Sequence, residues 1–214
     1  LGISTAGITD EEALAIINKT IEYAPVSYPP LETPCFWNLY KGNSVFGRHG
    51  QGGQMVTISP PDGYPLFLYD STKPTKMTVH RLIADRVLAA MKDILNHYGP
   101  NMYSIIPGAC HFFGGYVDKS YGSYWSSHAY GVAMDFDANC NGLKWSMRNL
   151  RRARVRGNNY TCPTLAQAIY KPWWEIWYHH GFFSQGIESE ITRKRPGNAH
   201  DWMHIQFAHW NCAR

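Results

Sequence analysis

The chain is 214 residues long, and its hydrophobic content of 44% and aromatic content of 14% predict a globular protein with one substantial core. No run approaches the roughly 18 consecutive apolar residues of a membrane-spanning helix, so we expect no transmembrane segment. The formal net charge of +4 is compatible with an anionic partner or simply with solubility. The five cysteines include no Cys-x-x-Cys pair, and this argues against a zinc site made of thiolates.

Residues 1–34 are predicted to form a helix followed by a proline-rich linker. Thr9 is a candidate N-cap with Glu12 at the capping-box position, and apolar residues follow at helical spacing. The helical pattern then ends in a stretch that contains four prolines and is typical of a linker: Pro25, Pro29, Pro30 and Pro34. This composition separates an N-terminal segment from a domain over residues 35–214. The helix either packs on that domain or ends an additional N-terminal domain, and no signal peptide is expected at Leu1.

The rest of the chain alternates between short strand patterns and helical patterns. The clearest helix is predicted over residues 78–98, where an apolar stripe recurs at helical spacing before Gly99-Pro100. Strands are predicted at Met55–Ile58, 66–69, 103–106, 132–136 and His204–Phe207, and helical segments at 164–170 and 172–180. A glycine- and aromatic-rich loop is predicted from residue 112 to residue 125, and loops of this kind commonly line active sites.

A basic run without acidic residues lies between residues 144 and 156. Its members are Lys144, Arg148, Arg151, Arg152, Arg154 and Arg156. We interpret the run first as a solvated basic face and second as a contact surface for a polyanion. A nucleic-acid interface would need a recognisable binding module or stacking aromatic residues nearby, and neither is evident, so no nucleic-acid partner is expected.

Two short clusters contain the residues that point to chemistry. The first places His128 and Asp135 seven positions apart, with Gly131 between them. The second follows some seventy residues later and contains Asp201 and His204. Two histidines and a carboxylate as ligands, with one spare carboxylate, are the parts of a catalytic zinc site that keeps one position open for water.

The pattern Ser-x-His-x-x-Gly-x-Ala-x-Asp followed by Asp-x-x-His resembles the zinc peptidases of bacterial cell-wall peptides. That family includes D-Ala-D-Ala carboxypeptidases and phage L-Ala-D-Glu endopeptidases. The matching positions are Ser126, His128, Gly131, Ala133, Asp135, Asp201 and His204. Residues from about 46 to 207 are similar to phage-associated members. The resemblance implies an α+β domain, with helices packed on a small, mainly antiparallel sheet that carries the zinc site, as in DD-peptidases and Hedgehog proteins.

The resemblance also implies a role for each matching residue. His128, Asp135 and His204 are the expected zinc ligands, and Asp201 is the expected base that takes the proton of the attacking water. Ser126 is expected either to hydrogen-bond the substrate or to steady the loop before His128. Family members often carry an arginine after the strand that precedes the first motif, but here that position offers His111. His111 is therefore the candidate substitute, with Lys119 or a distant arginine as alternatives.

The expected function is hydrolysis of a peptide bond in peptidoglycan stem peptides. L-Ala-D-Glu cleavage is favoured, and a phage endolysin or virion-associated lysin that acts on the bacterial wall is the favoured setting. D-Ala-D-Ala carboxypeptidase activity is the first alternative. A zinc-containing wall-binding module without turnover is the second, although the intact Asp201 argues against it.

A rival zinc arrangement uses a different pair of histidines. His200-Asp201-Trp202-Met203-His204 resembles the His-Glu-x-x-His motif, which requires both histidines on one face of a helix. The remaining histidines are interpreted as surface or structural residues: His49, His80, His97, His179 and His180. Asp137 is expected to point to the same side of its strand as Asp135, because strand side chains alternate with a period of two.

Overall fold

The computed structural model describes residues 46, 48–50, 52–121, 124–141, 165, 168–184 and 201–207. The strands are β1 (Met55–Ile58), β2 (Phe67–Leu68), β3 (Met77–His80), β4 (His111–Gly114), β5 (Ser120–Tyr121), β6 (Tyr124–Trp125), β7 (Ala133–Phe136), β8 (Phe182–Ser184) and β9 (His204–Phe207). The helices are α1 (Ala84–Tyr98), α2 (Met102–Ile105), α3 (Ala138–Asn141) and α4 (Lys171–His179). The predicted N-terminal helix and linker, the basic run and His200 lie outside the described residues.

The described elements form an α+β fold around a five-stranded sheet with the order β2-β4-β7-β9-β8. The β2–β4 pair is parallel and the other three pairs are antiparallel, so the prediction of a mainly antiparallel sheet is confirmed. Two separate antiparallel ladders join β1 to β3 and β5 to β6. In the central pair, Asp135 on β7 lies directly opposite His204 on β9. Directly opposed residues in a ladder project from the same face of the sheet.

One face of this sheet packs against helices and forms the core. The buried ring of Phe136 on β7 contacts Trp173 and Trp177 of α4, with ring centroids 5.3 and 6.2 Å apart. The end of α1 is tied to the same helix, because the Tyr98 hydroxyl accepts a hydrogen bond from the Trp173 backbone amide at 3.2 Å. Because side chains alternate along β7, Asp135 projects from the face opposite to Phe136. The helix-covered face therefore holds the apolar core, and the other face holds the polar residues of the motifs.

The helix predicted over residues 78–98 begins six residues later, at Ala84, and the prediction for its first part is wrong. Met77–His80 instead pairs as β3 with Met55–Ile58. Val79 fits an apolar stripe at helical spacing and also a strand in which Met77 and Val79 are both buried. A β-branched residue favours the strand once a partner strand is available, and that partner lies more than twenty residues away in the sequence.

The strand predicted at residues 103–106 is also wrong. Met102–Ile105 forms the short helix α2, and Pro107–Cys110 continues as a 3₁₀ turn. Met102 and Ile106 are buried, whereas Tyr103 and Ile105 are exposed, which is the four-residue spacing of one helix face. The strand starts only at His111, and the predicted loop over residues 112–125 contains the end of β4 and the β5–β6 ladder.

Most of the other predicted elements are confirmed with small changes in their bounds. Of the helical segment predicted at 164–170, the structure describes only residues 165 and 168–170, and 168–170 form a 3₁₀ turn. The strand at 66–69 is observed as Phe67–Leu68, and the strand at 132–136 as Ala133–Phe136. The predicted strands Met55–Ile58 and His204–Phe207 are observed with the predicted bounds. The second helical segment begins at Lys171, so Pro172 falls in its first turn, where a missing amide hydrogen costs no hydrogen bond. Within the described part of the chain, no helix has the length and apolar character needed to cross a bilayer.

Candidate metal centre

The first motif folds into a short capped turn that presents His128. Ser127–Tyr130 is a 3₁₀ turn, and the Ser126 hydroxyl accepts a hydrogen bond from the His128 backbone amide at 3.2 Å. Gly131 ends the turn with φ +69°, a left-handed conformation that glycine adopts without steric cost. A Cβ atom at this position would also lie 2.8 Å from the His80 backbone nitrogen. The serine and the glycine of the motif therefore shape the backbone that positions the histidine, and the loop-steadying role expected of Ser126 is observed.

Three side chains from the two motifs, which lie some seventy residues apart in the sequence, meet on the polar face of the sheet. His128 Nε2 lies 3.3 Å from Asp135 Oδ2 and 3.2 Å from His204 Nδ1. His204 Nδ1 lies 3.1 Å from Asp135 Oδ1. Among the described residues, these three form a group whose donor atoms could hold a metal ion.

The size of this triangle fits a tetrahedral metal site. Zinc binds imidazole nitrogen and carboxylate oxygen at about 2.0–2.2 Å, so two ligand atoms at the tetrahedral angle lie about 3.3 Å apart. The 3.2 Å between the two imidazole nitrogens matches that value. Each nitrogen also has a different Asp135 oxygen at a similar distance, Oδ1 at 3.1 Å from His204 and Oδ2 at 3.3 Å from His128. Three ligands of this kind leave a fourth position of the tetrahedron open, as catalytic sites require.

The outer hydrogen-bond partners of the two imidazoles indicate which nitrogen of each neutral ring is free to bind a cation. His128 Nδ1 lies 2.6 Å from the carbonyl oxygen of Gly115, which can only accept, so Nδ1 bears the hydrogen and a neutral ring offers a lone pair at Nε2. His204 Nε2 lies 2.9 Å from Gln206 Oε1 and donates to it, which leaves a lone pair at Nδ1. Two lone pairs and a carboxylate that face one another repel unless a positive charge lies between them.

The pKa values of Asp135 and His204 also indicate a site that favours a positive charge. Burial by itself raises the pKa of Asp135, but the charges and hydrogen bonds of His128 and His204 outweigh it and hold this pKa well below its usual range. Burial by itself lowers the pKa of His204, but the hydrogen bond and the charge of Asp135 raise it to about 9. Both shifts mean that these groups together favour a bound positive charge, which a proton or a metal ion can provide.

Asp201 lies beside this group without belonging to it. Its backbone carbonyl accepts a hydrogen bond from the His204 amide at 3.3 Å, and its side chain is buried. Burial is the largest cause that raises its pKa to about 6, and the nearby Asp135 carboxylate contributes to the rise. Its Oδ1 atom has no hydrogen-bond partner among the described residues. A buried carboxylate with a free oxygen next to a metal site is a suitable proton acceptor.

The rival arrangement of His200 and His204 on one helix is not formed. Asp201, Trp202 and Met203 are not helical, and His204 is the first residue of strand β9. The motif needs its two histidines one helical turn apart on the same helix face, and the non-helical residues between them do not form that turn.

The other described histidines have contacts that explain them without a metal. His180 Nε2 pairs with Asp93 at 2.8 Å, and His49 stacks on Trp125 with ring centroids 3.5 Å apart. His80 is buried in β3, where its Nδ1 accepts a hydrogen bond from the Leu82 amide at 3.2 Å. The structure does not bring His97 into the ligand group either.

His111, the candidate substitute for the family arginine, lies outside the ligand group. Its ring packs against Phe67 and Tyr103, and Nε2 is 3.5 Å from the Tyr103 hydroxyl. Burial lowers its pKa, so the ring is a neutral imidazole that can only donate weakly. Because Phe112 pairs with Phe136 on the core face, its neighbour His111 projects from the same face as Asp135. Its role in substrate binding stays a prediction.

Sequence reasoning missed the groups that orient the two ligand histidines. Gly115, whose carbonyl accepts from His128, lies in the predicted loop, and a Cβ atom there would lie 2.5 Å from the Thr78 carbonyl oxygen. Gln206 had a detectable signal, because it follows His204 by two positions on a strand and therefore projects from the same face. Ser127 Oγ lies 3.3 Å from His204 Nε2. Nothing in the sequence indicates this contact except that Ser127 directly precedes His128.

Gln206→Leu is expected to weaken zinc binding by about 10- to 100-fold, the usual cost of losing a residue that orients a metal ligand. The leucine cannot accept the hydrogen of His204 Nε2, so the ring loses the partner that keeps Nδ1 free for the metal. Competition with a chromophoric chelator measures the affinity. Gln206→Glu keeps an acceptor oxygen and is the matched control, with zinc affinity at least equal to that of the unmodified chain. Equal affinities for all three proteins would show that Gln206 does not orient His204.

The expectation that Asp137 points to the same side as Asp135 is wrong. Asp137 follows the end of β7 with φ +44°, and this left-handed conformation interrupts the alternation of the strand. Its Oδ2 atom lies 3.4 Å from Asn141 Nδ2. A Cβ atom on Gly108 would lie 3.1 Å from the same Oδ2 atom and 3.0 Å from the Tyr170 hydroxyl, so the carboxyl group lies beside buried Tyr170.

Asp137→Asn is expected to stabilise the protein increasingly as the pH rises. Burial raises the pKa of Asp137 from 3.8 to about 8, so between these values the folded chain keeps a proton that the unfolded chain releases. The contribution of Asp137 to stability is therefore complete below pH 3.8 and is lost as the pH rises through about 8. Urea denaturation measures the free energy of unfolding of both proteins at pH 5 and pH 8. Between these two pH values, the difference in favour of the variant should grow by at least about 1 kcal/mol. If the free energies of unfolding of the two proteins change with pH in parallel, the buried side chain of Asp137 is not uncharged.

No protein-family model, no curated protein and no solved structure matches the chain. We therefore infer what the site can do chemically from its donor atoms and its charges alone. Two neutral imidazoles and one carboxylate can hold a divalent ion, and the adjacent Asp201 carboxylate can accept a proton.

Proposed function

We propose that the chain is a zinc-dependent peptidase that hydrolyses peptidoglycan stem peptides, with the L-Ala-D-Glu bond as the favoured target. The observation that carries the proposal is the triangle of His128, Asp135 and His204 donor atoms with the buried Asp201 carboxylate beside it. The resemblance of the two motifs to wall-lytic zinc peptidases supports the substrate class. A phage endolysin or virion-associated lysin is the setting that best suits this activity.

The donor set favours zinc over the other common divalent ions. Magnesium and calcium prefer shells made of oxygen ligands, whereas the site offers two imidazole nitrogens and one carboxylate. Zinc accepts this set in tetrahedral geometry and keeps its fourth position for water or substrate. When bound, zinc polarises the carbonyl of the scissile bond and makes water acidic enough to lose a proton near neutral pH.

The residues of the chain supply the proton transfers and the orientation. Asp201, whose pKa of about 6 leaves it ionised at neutral pH yet still basic, accepts the proton of the attacking water at its free Oδ1 atom. It then delivers the proton to the leaving amine. Gly115 and Gln206 hold the hydrogens of His128 and His204 away from the metal, so that both rings remain ligands throughout.

The lack of an arginine at the family's position in the sequence favours endopeptidase over carboxypeptidase action. No arginine occurs between Arg86 and Arg148 in the sequence, and the expected position is taken by His111. A carboxypeptidase must hold the terminal carboxylate of its substrate, for which arginine offers a bidentate pair of donors. An endopeptidase that cleaves within the stem peptide has no such requirement. His111, a neutral donor, is then suited to stabilising the oxyanion rather than to binding a carboxylate.

Mass spectrometry of fragments released from purified peptidoglycan by the zinc-loaded chain tests this function. New amino-terminal D-Glu is expected, and the Asp201→Asn protein serves as the control for contaminating hydrolases. Free D-Ala would indicate carboxypeptidase action instead. Sedimentation of the protein with the wall and no released fragment from either protein would indicate a binding module without turnover.

A further inference from the structure

Strand β4 contains an extra residue opposite the ligand Asp135. Phe112 pairs with Phe136, and the next pair joins Gly114 to Asp135, so Phe113 and Gly114 together oppose one residue of β7. An extra residue of this kind is a β-bulge, and bulges beside active sites turn a side chain in a new direction. The side chain turned here is that of Phe113, which is 46% exposed although its neighbour Phe112 is buried.

Phe113 belongs to one of two aromatic ring pairs at β2 and β4, and β4 pairs with the strand that carries Asp135. Its ring contacts Tyr69 edge-on, with centroids 4.9 Å apart. The second pair joins Phe67 on β2 to Tyr103 on α2, also edge-on, with centroids 5.1 Å apart. Tyr103 is 37% exposed, and none of these residues is charged. We call Phe67, Tyr69, Tyr103 and Phe113 the aromatic shelf.

The openness of the aromatic shelf decides which ligand chemistry suits it. An apolar side chain gains most when a concave pocket buries 70–90% or more of its surface, and a shelf with half-exposed rings cannot enclose one in this way. A sugar ring needs only one covered face, because its C–H groups pack on the electron-rich face of an aromatic ring while its hydroxyl groups stay in water. An open, uncharged aromatic surface is therefore suited to a saccharide.

We propose that the aromatic shelf binds a sugar ring of the glycan strand while the attached peptide reaches the metal centre. The proposal rests on the function proposed above, in which the stem peptide is joined to the glycan through its amino-terminal alanine. The bulge places Phe113 opposite Asp135, so the shelf begins next to the ligands on the neighbouring strand. Phe113 and Tyr69 then determine specificity for peptides that still carry their sugar.

Binding by the zinc-loaded Asp201→Asn protein tests the shelf without interference from hydrolysis. Isothermal titration calorimetry compares a disaccharide stem peptide with the same peptide carrying only a lactyl group at its amino end. The disaccharide compound is expected to bind about three- to tenfold more tightly, the range for one well-formed aromatic contact. Adding Phe113→Leu should reduce this ratio to about one, whereas adding Phe113→Trp, which keeps an aromatic face, should preserve it.

The matched control is Ile169→Ala, an equally exposed apolar residue (47%) beside Tyr98, and it should leave the ratio unchanged. Equal affinities of the Asp201→Asn protein for the two compounds would contradict sugar binding by the aromatic shelf. An affinity ratio that stays unchanged after Phe113→Leu would contradict it as well. Hydrolysis of either compound by the unmodified chain is measured separately and tests only the proposed peptidase function. A preference for the disaccharide compound without any hydrolysis would keep the shelf and reject the peptidase.

Discussion

Asp135→Ala is expected to abolish stoichiometric zinc binding and, with it, all measurable hydrolysis of peptidoglycan peptides. The Asp135 carboxylate contacts both other ligands, with Oδ1 at 3.1 Å from His204 and Oδ2 at 3.3 Å from His128. Its removal takes away the negative charge that attracts a cation and leaves two neutral imidazoles. The loss of affinity should exceed the about 10- to 100-fold effect of removing a residue that only orients a ligand. Elemental analysis after dialysis measures the bound zinc.

Asp137→Asn is the matched control, since it changes a second buried carboxyl group two residues along the chain. Its side chain lies beside Asn141 and Tyr170, away from the ligand atoms, so one zinc ion per chain should remain. Near-ultraviolet circular dichroism of both variants separates loss of metal from loss of folding. One bound zinc ion per folded Asp135→Ala chain would remove Asp135 from the proposed ligand set.

Asp201→Asn is expected to keep the zinc and to lower kcat by at least about 100-fold, the lower end of the range for a general base. Asparagine has almost the same shape as aspartate, so it leaves no cavity, but it cannot accept a proton at neutral pH. Because the Asp201 carboxylate lies outside the ligand triangle, the affinity for zinc should change little. Steady-state kinetics on a stem-peptide substrate, together with zinc analysis of the same preparation, measure both quantities.

The distribution of the effect between kcat and KM distinguishes a base from a substrate-binding residue. A residue that acts only in the transition state lowers kcat and kcat/KM equally, whereas loss of a ground-state contact raises KM and leaves kcat unchanged. Loss of zinc from the Asp201→Asn protein would instead make Asp201 a ligand. Unchanged kcat with retained zinc would require a different base.

Local patterns in the sequence were sufficient where the chemistry depends on near neighbours. The place of Ser126 two residues before His128 favours a loop-steadying role as one of two alternatives, and the structure shows the serine cap of that turn and the left-handed Gly131 that ends it. The strands that carry Asp135 and His204 were predicted correctly, because apolar residues flank Asp135 in one and alternate with His204 and Gln206 in the other. These features are determined by contacts within a few residues, which a sequence displays directly.

The errors occurred where the local pattern fits more than one conformation. Residues 78–80 fit a helix until β1 pairs with them, and residues 103–106 fit a buried strand until the neighbouring Met102 turns out to share a helix face with Ile106. Asp137 was assigned by strand alternation, which fails because the strand has already ended and the backbone enters a left-handed conformation. Intrinsic preferences in all three places are weak compared with tertiary contacts.

The sequence by itself therefore indicated which three residues could hold a metal ion and which carboxylate lies beside them, because the types and spacing of those residues point to that chemistry. Only the tertiary structure decided which nitrogen of each histidine faces the other members of this group, because that choice depends on Gly115 and Gln206 as hydrogen-bond acceptors. It also decided that Phe113 and Gly114 together oppose Asp135, since a β-bulge is a mismatch of register between two strands. A register belongs to a pair of strands, and neither strand alone specifies it.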